Sequence, residues 1–170
     1  MSQPIILAAV DLDHRASTVI THANRLAALC QGHLMVVHIV DYDSVYEDDH
    51  GFPQPPGKIR EDMIRHARMS LFGMIHHLNL STNLIEIQVK TGPVVDTLID
   101  LAATIHPRYV LIGASRFGIL GSTTGLVTAF NAGSNGQLLV VPNTNTALSN
   151  WDITSRIRQW IGQNVVAPIK

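Results

Sequence analysis

The sequence predicts an α/β fold with one five-stranded, mostly parallel sheet. Short apolar runs recur at residues 5–10, 34–40, 109–112 and 138–141. They are continuous rather than alternating, which is typical of strands buried on both faces. Between the runs, apolar residues follow a helical period, so strands and helices alternate along the chain. Because crossovers between parallel strands are right-handed, we expect a single doubly wound, Rossmann-like sheet with helices on both faces.

Three helical stripes separate these runs. The first consists of Val19, Ala23, Leu26, Ala27 and Cys30. The second consists of Ile59, Met63, Ala67, Leu71, Met74, Ile75 and Leu78. The third, which follows Gly92 and Pro93, consists of Val95, Leu98, Ile99 and Ala102. Apolar and polar residues alternate over 84–89, which predicts a strand nearer an edge of the sheet. Residues 123–132 predict a weaker helix.

Two segments do not follow the α/β pattern. Residues 41–57 are acidic and proline-rich, and we expect a long surface loop there. Residues 1–143 are expected to form the α/β domain, and 144–170 a polar linker and a C-terminal amphipathic helix. The apolar face of that helix consists of Ile153, Ile157, Trp160, Ile161 and Val165. We expect the helix to pack on its own domain, and docking on a partner subunit is the alternative.

Composition excludes several classes of function. The net charge of the 170 residues is −1 and no Lys/Arg cluster occurs, which argues against nucleic-acid binding. The single cysteine, Cys30, excludes an internal disulfide framework and a cysteine-based zinc cage. No apolar run approaches the ~18 residues of a spanning helix, and the first residues lack the basic region of a signal peptide. The expected location is the cytoplasm, without a membrane partner.

A glycine-rich loop after the run 109–112 is the strongest candidate for a phosphate site. Backbone N–H groups at such a strand–loop–helix junction can face an anion. Hydroxyl groups come from Ser122, Thr123 and Thr124, and Arg116 can add a charge-assisted hydrogen bond. The alternative is a tight corner without a ligand. Neither GxxxxGK[ST] nor GxGxxG occurs, which argues against a P-loop NTPase and a standard dinucleotide fold.

Asp11 is the second candidate, because it directly follows the first apolar run. Ligands of a doubly wound sheet bind outside the carboxyl ends of its strands, and these ends carry Asp11, Ile39 and Gly113. A carboxylate there can accept hydrogen bonds from a ribose or a base, or help to hold Mg²⁺. The alternative is that Asp11 caps the first helix or forms an Asx turn. Asp13 is the better candidate for the cap.

No pattern predicts a catalytic residue or a metal site. The nine histidines do not occur at the spacing that metal ligands need. His76 and His77 are adjacent, so they point to different sides of a helix and cannot easily share one ion. We expect His38, within an apolar run, to be a hydrogen-bonded core imidazole. No GxSxG motif occurs, and nothing marks a general acid or base.

Four segments resemble the universal stress protein family. Residues 6–13 resemble its first strand and aspartate, and 34–41 its second strand with a His-Val-x-Asp ending. Residues 92–99 resemble the start of its third helix, and 110–142 its closing β-α-β unit. The resemblance covers about residues 3–143 and implies the family's HUP-type α/β domain with a stress-response or regulatory role.

The resemblance also implies a nucleotide site. Many family members bind ATP through G-x-x-G-x9-G-[ST]. By resemblance, Val10 and Asp11 would meet adenine or ribose, and Ile39 and Ile112 would flank the base. The phosphates would meet Gly113, Ser115, Gly121, Ser122 and Thr123. The implied cofactor is ATP or AMP, with Mg²⁺.

The chain departs from this motif at two points. Arg116 occupies the second glycine position, and four residues instead of nine separate it from Gly121. If the alignment is anchored on the last strand instead, Gly125 takes the later glycine position and Leu126 follows it. This resembles the branch of the family that keeps the fold without tight ATP binding and dimerises through its last strand.

Strand 138–141 independently predicts a homodimer. A bare apolar edge invites pairing with another chain, although the terminal helix could cover it. Two functions therefore remain open: a regulatory domain that senses an adenine nucleotide, and a nucleotide-independent dimer with an empty cleft and an unknown protein partner. Slow ATP hydrolysis ranks third, and the chain is not expected to be an enzyme.

Overall fold

The computed structural model of the protein describes residues 3–41, 56–80, 84–113 and 136–141. These ranges contain five strands and three helices. In chain order they are β1 (Ile5–Ala9), α1 (Ala16–Leu29), β2 (His33–Val40), α2 (Pro56–His77), β3 (Ile85–Thr91), α3 (Val94–Ile105), β4 (Tyr109–Gly113) and β5 (Gln137–Val141). The strands form one parallel sheet in the order β3-β2-β1-β4-β5, which confirms the predicted doubly wound α/β architecture.

The direction of winding reverses beside β1. From β1 the chain moves outward through β2 to β3, and then returns to β4 on the other side of β1. Right-handed crossovers that run in opposite directions place their helices on opposite faces of the sheet. Accordingly α1 and α2 pack on one face and α3 packs on the other. The reversal leaves the carboxyl ends of β1 and β4 side by side as a topological switch point.

The two sheet faces form two cores. Residues of β1 alternate between them, so Ile6 and Ala8 face α1 and α2 while Leu7 and Ala9 face α3. Residues of β2 alternate in the same way, with Leu34 and Val36 on the first face. Both faces of these central strands are buried, which explains their continuous apolar sequences.

Element boundaries differ from the predictions at two helices. α2 begins at Pro56, inside the segment expected to be a loop, because proline is well suited to the first position of a helix. α3 begins at Val94, and its buried residues are Val94, Leu98, Leu101 and Ala102. Val95 and Ile99 of the predicted stripe are only partly buried.

Both predicted edge strands lie at edges of the described sheet, β3 on one side and β5 on the other. The helix predicted at 123–132 and the linker and helix predicted at 144–170 lie outside the described residues, as do residues 42–55 of the predicted loop.

The turn between β3 and α3 depends on Gly92. Its φ of 138° is one that L side chains rarely adopt, and a β-carbon there would lie 2.8 Å from Thr97 Oγ1. The Gly92 N–H donates a hydrogen bond to the Val40 carbonyl at 3.1 Å. This bond ties the start of α3 to the end of β2, beside the switch point.

Candidate functional site

A crevice opens at the switch point between β1, β4 and the start of α1. It is shallow and partly open to solvent. Its lining is Ala9, Val10, Asp11, Asp13, Arg15, Ala16, Val19 and Gly113. A β-carbon at Gly113 would lie 3.4 Å from Val19 Cγ2, an ordinary contact distance, so α1 lies close to the end of β4. We call this space the β1–β4 crevice.

A second cleft lies on the other side of β1, toward β2 and α3. It is shallow and partly open to solvent, and its lining is Ala9, Val10, Asp11, Val37, Ile39 and Val94. We call it the β1–β2 cleft. The two spaces share Ala9, Val10 and Asp11, so they meet at the end of β1. The lining of the β1–β2 cleft is apolar apart from Asp11. The lining of the β1–β4 crevice also contains the charged side chains of Asp13 and Arg15.

Asp11 stands where the two spaces meet. Burial and the nearby Asp13 carboxylate raise the pKa of Asp11, although His38 and Arg15 act in the opposite direction. Within the described residues, no hydrogen bond reaches the Asp11 carboxylate. A partly desolvated carboxylate without donors is costly, so the geometry favours a ligand that supplies hydroxyl donors or a cation.

Asp13 is engaged with the protein itself. Its Oδ1 accepts the Arg15 backbone N–H at 2.8 Å and its Oδ2 accepts Arg15 Nε–H at 2.7 Å. Partial burial alone would raise the pKa of Asp13, but the hydrogen bonds from Arg15 hold it below its ordinary value. Asp13 thus forms an Asx turn before α1. It is not the helix cap that the sequence predicted, because the N-cap residue is Arg15, and no side-chain hydrogen bond caps the helix. Asp11 lines both spaces.

His38 is a buried, hydrogen-bonded imidazole, which confirms the prediction for this residue. Only 9% of it is exposed, and it is the one polar side chain among the buried residues that the structure describes. Its Nδ1 lies 2.8 Å from the Val10 carbonyl oxygen. Since that oxygen can only accept, Nδ1 carries the proton.

The structure describes five of the eleven predicted site residues. Val10, Asp11, Ile39 and Gly113 line the two spaces. Ile112 lies beneath them, 1% exposed, in the core on the α3 face. Six others lie outside the described residues: Ser115, Arg116, Gly121, Ser122, Thr123 and Thr124.

Sequence reasoning missed Arg15 and Val94 as lining residues. Arg15 lies two residues after Asp13, a spacing at which an Asx turn brings the later backbone N–H to the carboxylate. Val94 follows Gly92-Pro93, the pair that predicts the start of α3. Its burial could not be predicted from the sequence, because it depends on which side of α3 faces the sheet.

The described residues contain no group of three or more His, Cys, Asp or Glu side chains that could hold a metal ion. Among the same residues, no helix is both long and apolar enough to cross a membrane.

Comparison with known proteins gives one family. The sequence model of the universal stress protein family matches residues 4–129. No curated protein matches the chain at a significant level.

Several solved structures are similar to this one. A universal stress protein UspA from Lactobacillus plantarum has a TM-score of 0.61 and 19% identity, covering 83% of this chain and 99% of its own. A universal stress protein in complex with cAMP has a TM-score of 0.55 and 16% identity, with coverages of 85% and 100%. A family protein from Burkholderia pseudomallei has a TM-score of 0.54 and 16% identity, with coverages of 82% and 96%. At these identities the similarity shows the fold.

Proposed function

The chain belongs to the universal stress protein family, and we propose that it is a regulatory domain that senses an adenine nucleotide at the end of β1. The observation that carries the proposal is Asp11, a partly desolvated carboxylate that no hydrogen bond reaches within the described residues. Its position at the junction of an apolar cleft and a polar crevice suits a ribose, which links an apolar base to phosphates.

In this proposal the adenine lies against Ile39 and Val94 at the opening of the β1–β2 cleft, and the ribose hydroxyls donate to Asp11. The phosphates enter the β1–β4 crevice beside Gly113. Asp11 and Asp13 outnumber the single cation Arg15 among the charged lining residues there. A bare phosphate would therefore be repelled, which favours ATP or AMP accompanied by Mg²⁺. The similar structure that contains cAMP, itself an adenine nucleotide, supports this ligand class.

Calorimetric titration with ATP, AMP and cAMP in the presence of Mg²⁺ tests the proposal. We expect binding tighter than roughly 1 mM, about 4 kcal/mol of binding free energy. Asp11→Asn keeps the shape of the side chain but removes its charge, and should weaken binding by about tenfold, or ~1.4 kcal/mol. The matched control is Asp100→Asn, on an exposed position of α3, which should bind as the wild type does.

Absence of heat with all three nucleotides at high-micromolar protein would refute nucleotide sensing. Equal affinity of Asp11→Asn and wild type would remove Asp11 from the site. The sensing role further requires that ATP stays intact during the titration, which chromatography of the recovered nucleotide measures. Stoichiometric conversion to ADP would instead identify a hydrolase.

A homodimer that acts without nucleotide is the second candidate function. It is favoured by the position of β5, whose free side is the outer side of the described sheet. An outer parallel strand has backbone N–H and C=O groups available for a second chain. We propose pairing through 138–141, which is compatible with an occupied or an empty cleft and with a further protein partner.

A further inference from the structure

Both backbone hydrogen-bonding groups of Val10, at the end of β1, have partners on β2. β1 ends at Ala9, which pairs with Val37 in the parallel ladder. One residue later, the Val10 N–H still donates to the Val37 carbonyl at 3.0 Å. The Val10 carbonyl also points toward β2, but its donor is the side chain of His38, at 2.8 Å. His38 thus extends the pairing of β1 by means of a side chain.

This hydrogen bond determines the orientation of the next N–H group. The Val10 carbonyl and the Asp11 N–H belong to the same planar trans peptide unit, in which C=O and N–H point in opposite directions. Since the carbonyl points toward β2, the Asp11 N–H points toward β4 and the β1–β4 crevice. Among the hydrogen bonds of the described residues, none uses the Asp11 N–H.

From this geometry we infer that His38 is a positioning residue for the nucleotide site: it aims the Asp11 N–H, and with it the Asp11 carboxylate, at the ligand. The inference rests on the proposed function and deepens it. Asp11 would then offer a ligand both a donor on its backbone and an acceptor on its side chain. A ribose hydroxyl, which donates and accepts at once, matches that pair.

The burial of His38 fits this assignment. Valine or isoleucine would fill the same position in an apolar strand without needing a hydrogen bond, as Val36 does two residues earlier on the same face. An imidazole at this position donates a hydrogen bond to the Val10 carbonyl. That carbonyl lies one residue beyond the last β1–β2 pair, Ala9 with Val37. Replacing it with an apolar side chain should free the 10–11 peptide to rotate.

Three variants test the inference by calorimetry with ATP, AMP and Mg²⁺. His38→Leu removes the donor and should weaken binding about tenfold, or ~1.4 kcal/mol. His38→Asn should restore affinity to within about twofold (~0.4 kcal/mol), because its amide nitrogen occupies the same place along the side chain as Nδ1. The matched control is His22→Leu, since His22 Nδ1 also contacts a backbone carbonyl at 2.8 Å, that of Thr18. His22 does not line either space, so its variant should bind normally.

The outcomes separate the inference from the function on which it rests. If His38→Leu is folded and binds as the wild type does, His38 does not position the site. If the wild type binds no nucleotide, the proposed function fails, and the inference is then decided by the Asp11 amide resonance in ¹⁵N-labelled protein. That resonance should move in His38→Leu and return in His38→Asn, and an unmoved resonance overturns the inference. Should His38→Leu not fold, the ¹⁵N spectrum of wild-type histidine decides, because a proton on Nε2 in place of Nδ1 contradicts the geometry.

Discussion

Arg15 Nε donates to Asp13 Oδ2 at 2.7 Å, while the backbone N–H of the same arginine donates to Asp13 Oδ1 at 2.8 Å. Two residues therefore form both the Asx turn that starts α1 and a local ion pair beside the crevice. This double engagement separates the tasks of two carboxylates only two positions apart. Asp13 forms the turn before α1. In the described part of the chain, no hydrogen bond reaches the Asp11 carboxylate.

Asp13→Ala should destabilise the domain by about 1 kcal/mol at neutral pH, since it removes two hydrogen bonds to a charged group. The pKa of Asp13 is lowered in the folded state, so its contribution is present above the ordinary value of 3.8 and is lost as pH falls through the folded-state value. Urea unfolding of wild type and variant across acidic pH measures this. A difference that stays constant down to pH 2 would contradict the assignment.

Asp11→Asn should have the opposite effect on stability. Because the folded-state pKa of Asp11 is raised, the group stabilises the fold only when protonated. That contribution is complete below 3.8 and is lost as pH rises through the folded-state value. Asparagine is neutral throughout, so the variant should melt at a higher temperature than wild type at pH 7 and at a similar one near pH 3. A lower melting temperature at pH 7 would contradict the desolvation of Asp11.

Asp11→Asn should weaken nucleotide binding and yet raise the melting temperature at pH 7, so the variant tests the site without the complication of unfolding. A variant that binds nucleotide less tightly yet melts at a higher temperature cannot owe its lost binding to unfolding. A functional residue that lowers the stability of the fold is a common finding in proteins.

Gly92→Ala should destabilise the domain by about 1–3 kcal/mol, because alanine is strained at the observed φ and its β-carbon would meet Thr97 Oγ1. Gly73→Ala is the matched control, since Gly73 lies inside α2 with no atom within 4 Å of the added carbon. That substitution should stabilise by roughly 0.5–1 kcal/mol. Denaturant midpoints of the two variants should therefore shift in opposite directions, and two shifts of the same sign would contradict the described backbone.

Val140→Lys should convert a dimer that pairs through β5 into a monomer. Val140 is only partly buried on the outer strand, and two copies of an added charge would face each other across a symmetric interface. Light scattering measures the mass. Met69→Lys adds the same charge at an exposed position of α2 and should leave the mass unchanged. An unchanged mass for Val140→Lys would argue against edge pairing.

Sequence patterns predicted the secondary structure well where both faces of an element are buried. The predicted bounds of β1, β2, β4 and β5 each lie within one residue of the observed bounds. A strand that is buried on both faces is apolar throughout, so the ends of the apolar run mark the ends of the strand. The start of α2 was located less well. Pro56 and Gly57 look like loop residues by composition, and only their position at the first turn makes them helical.

The sequence by itself determined the fold class, the family, the two edge strands and the position of Asp11 at a strand end. All of these depend on local periodicity or on short motifs that can be read without contacts. The tertiary structure alone decided that Asp13 is bound by Arg15 while Asp11 lies open between two spaces, and that His38 holds the carbonyl of Val10. His38 and Val10 are 28 positions apart, and only the parallel register of β1 and β2 brings them within hydrogen-bonding distance. No local pattern encodes that register.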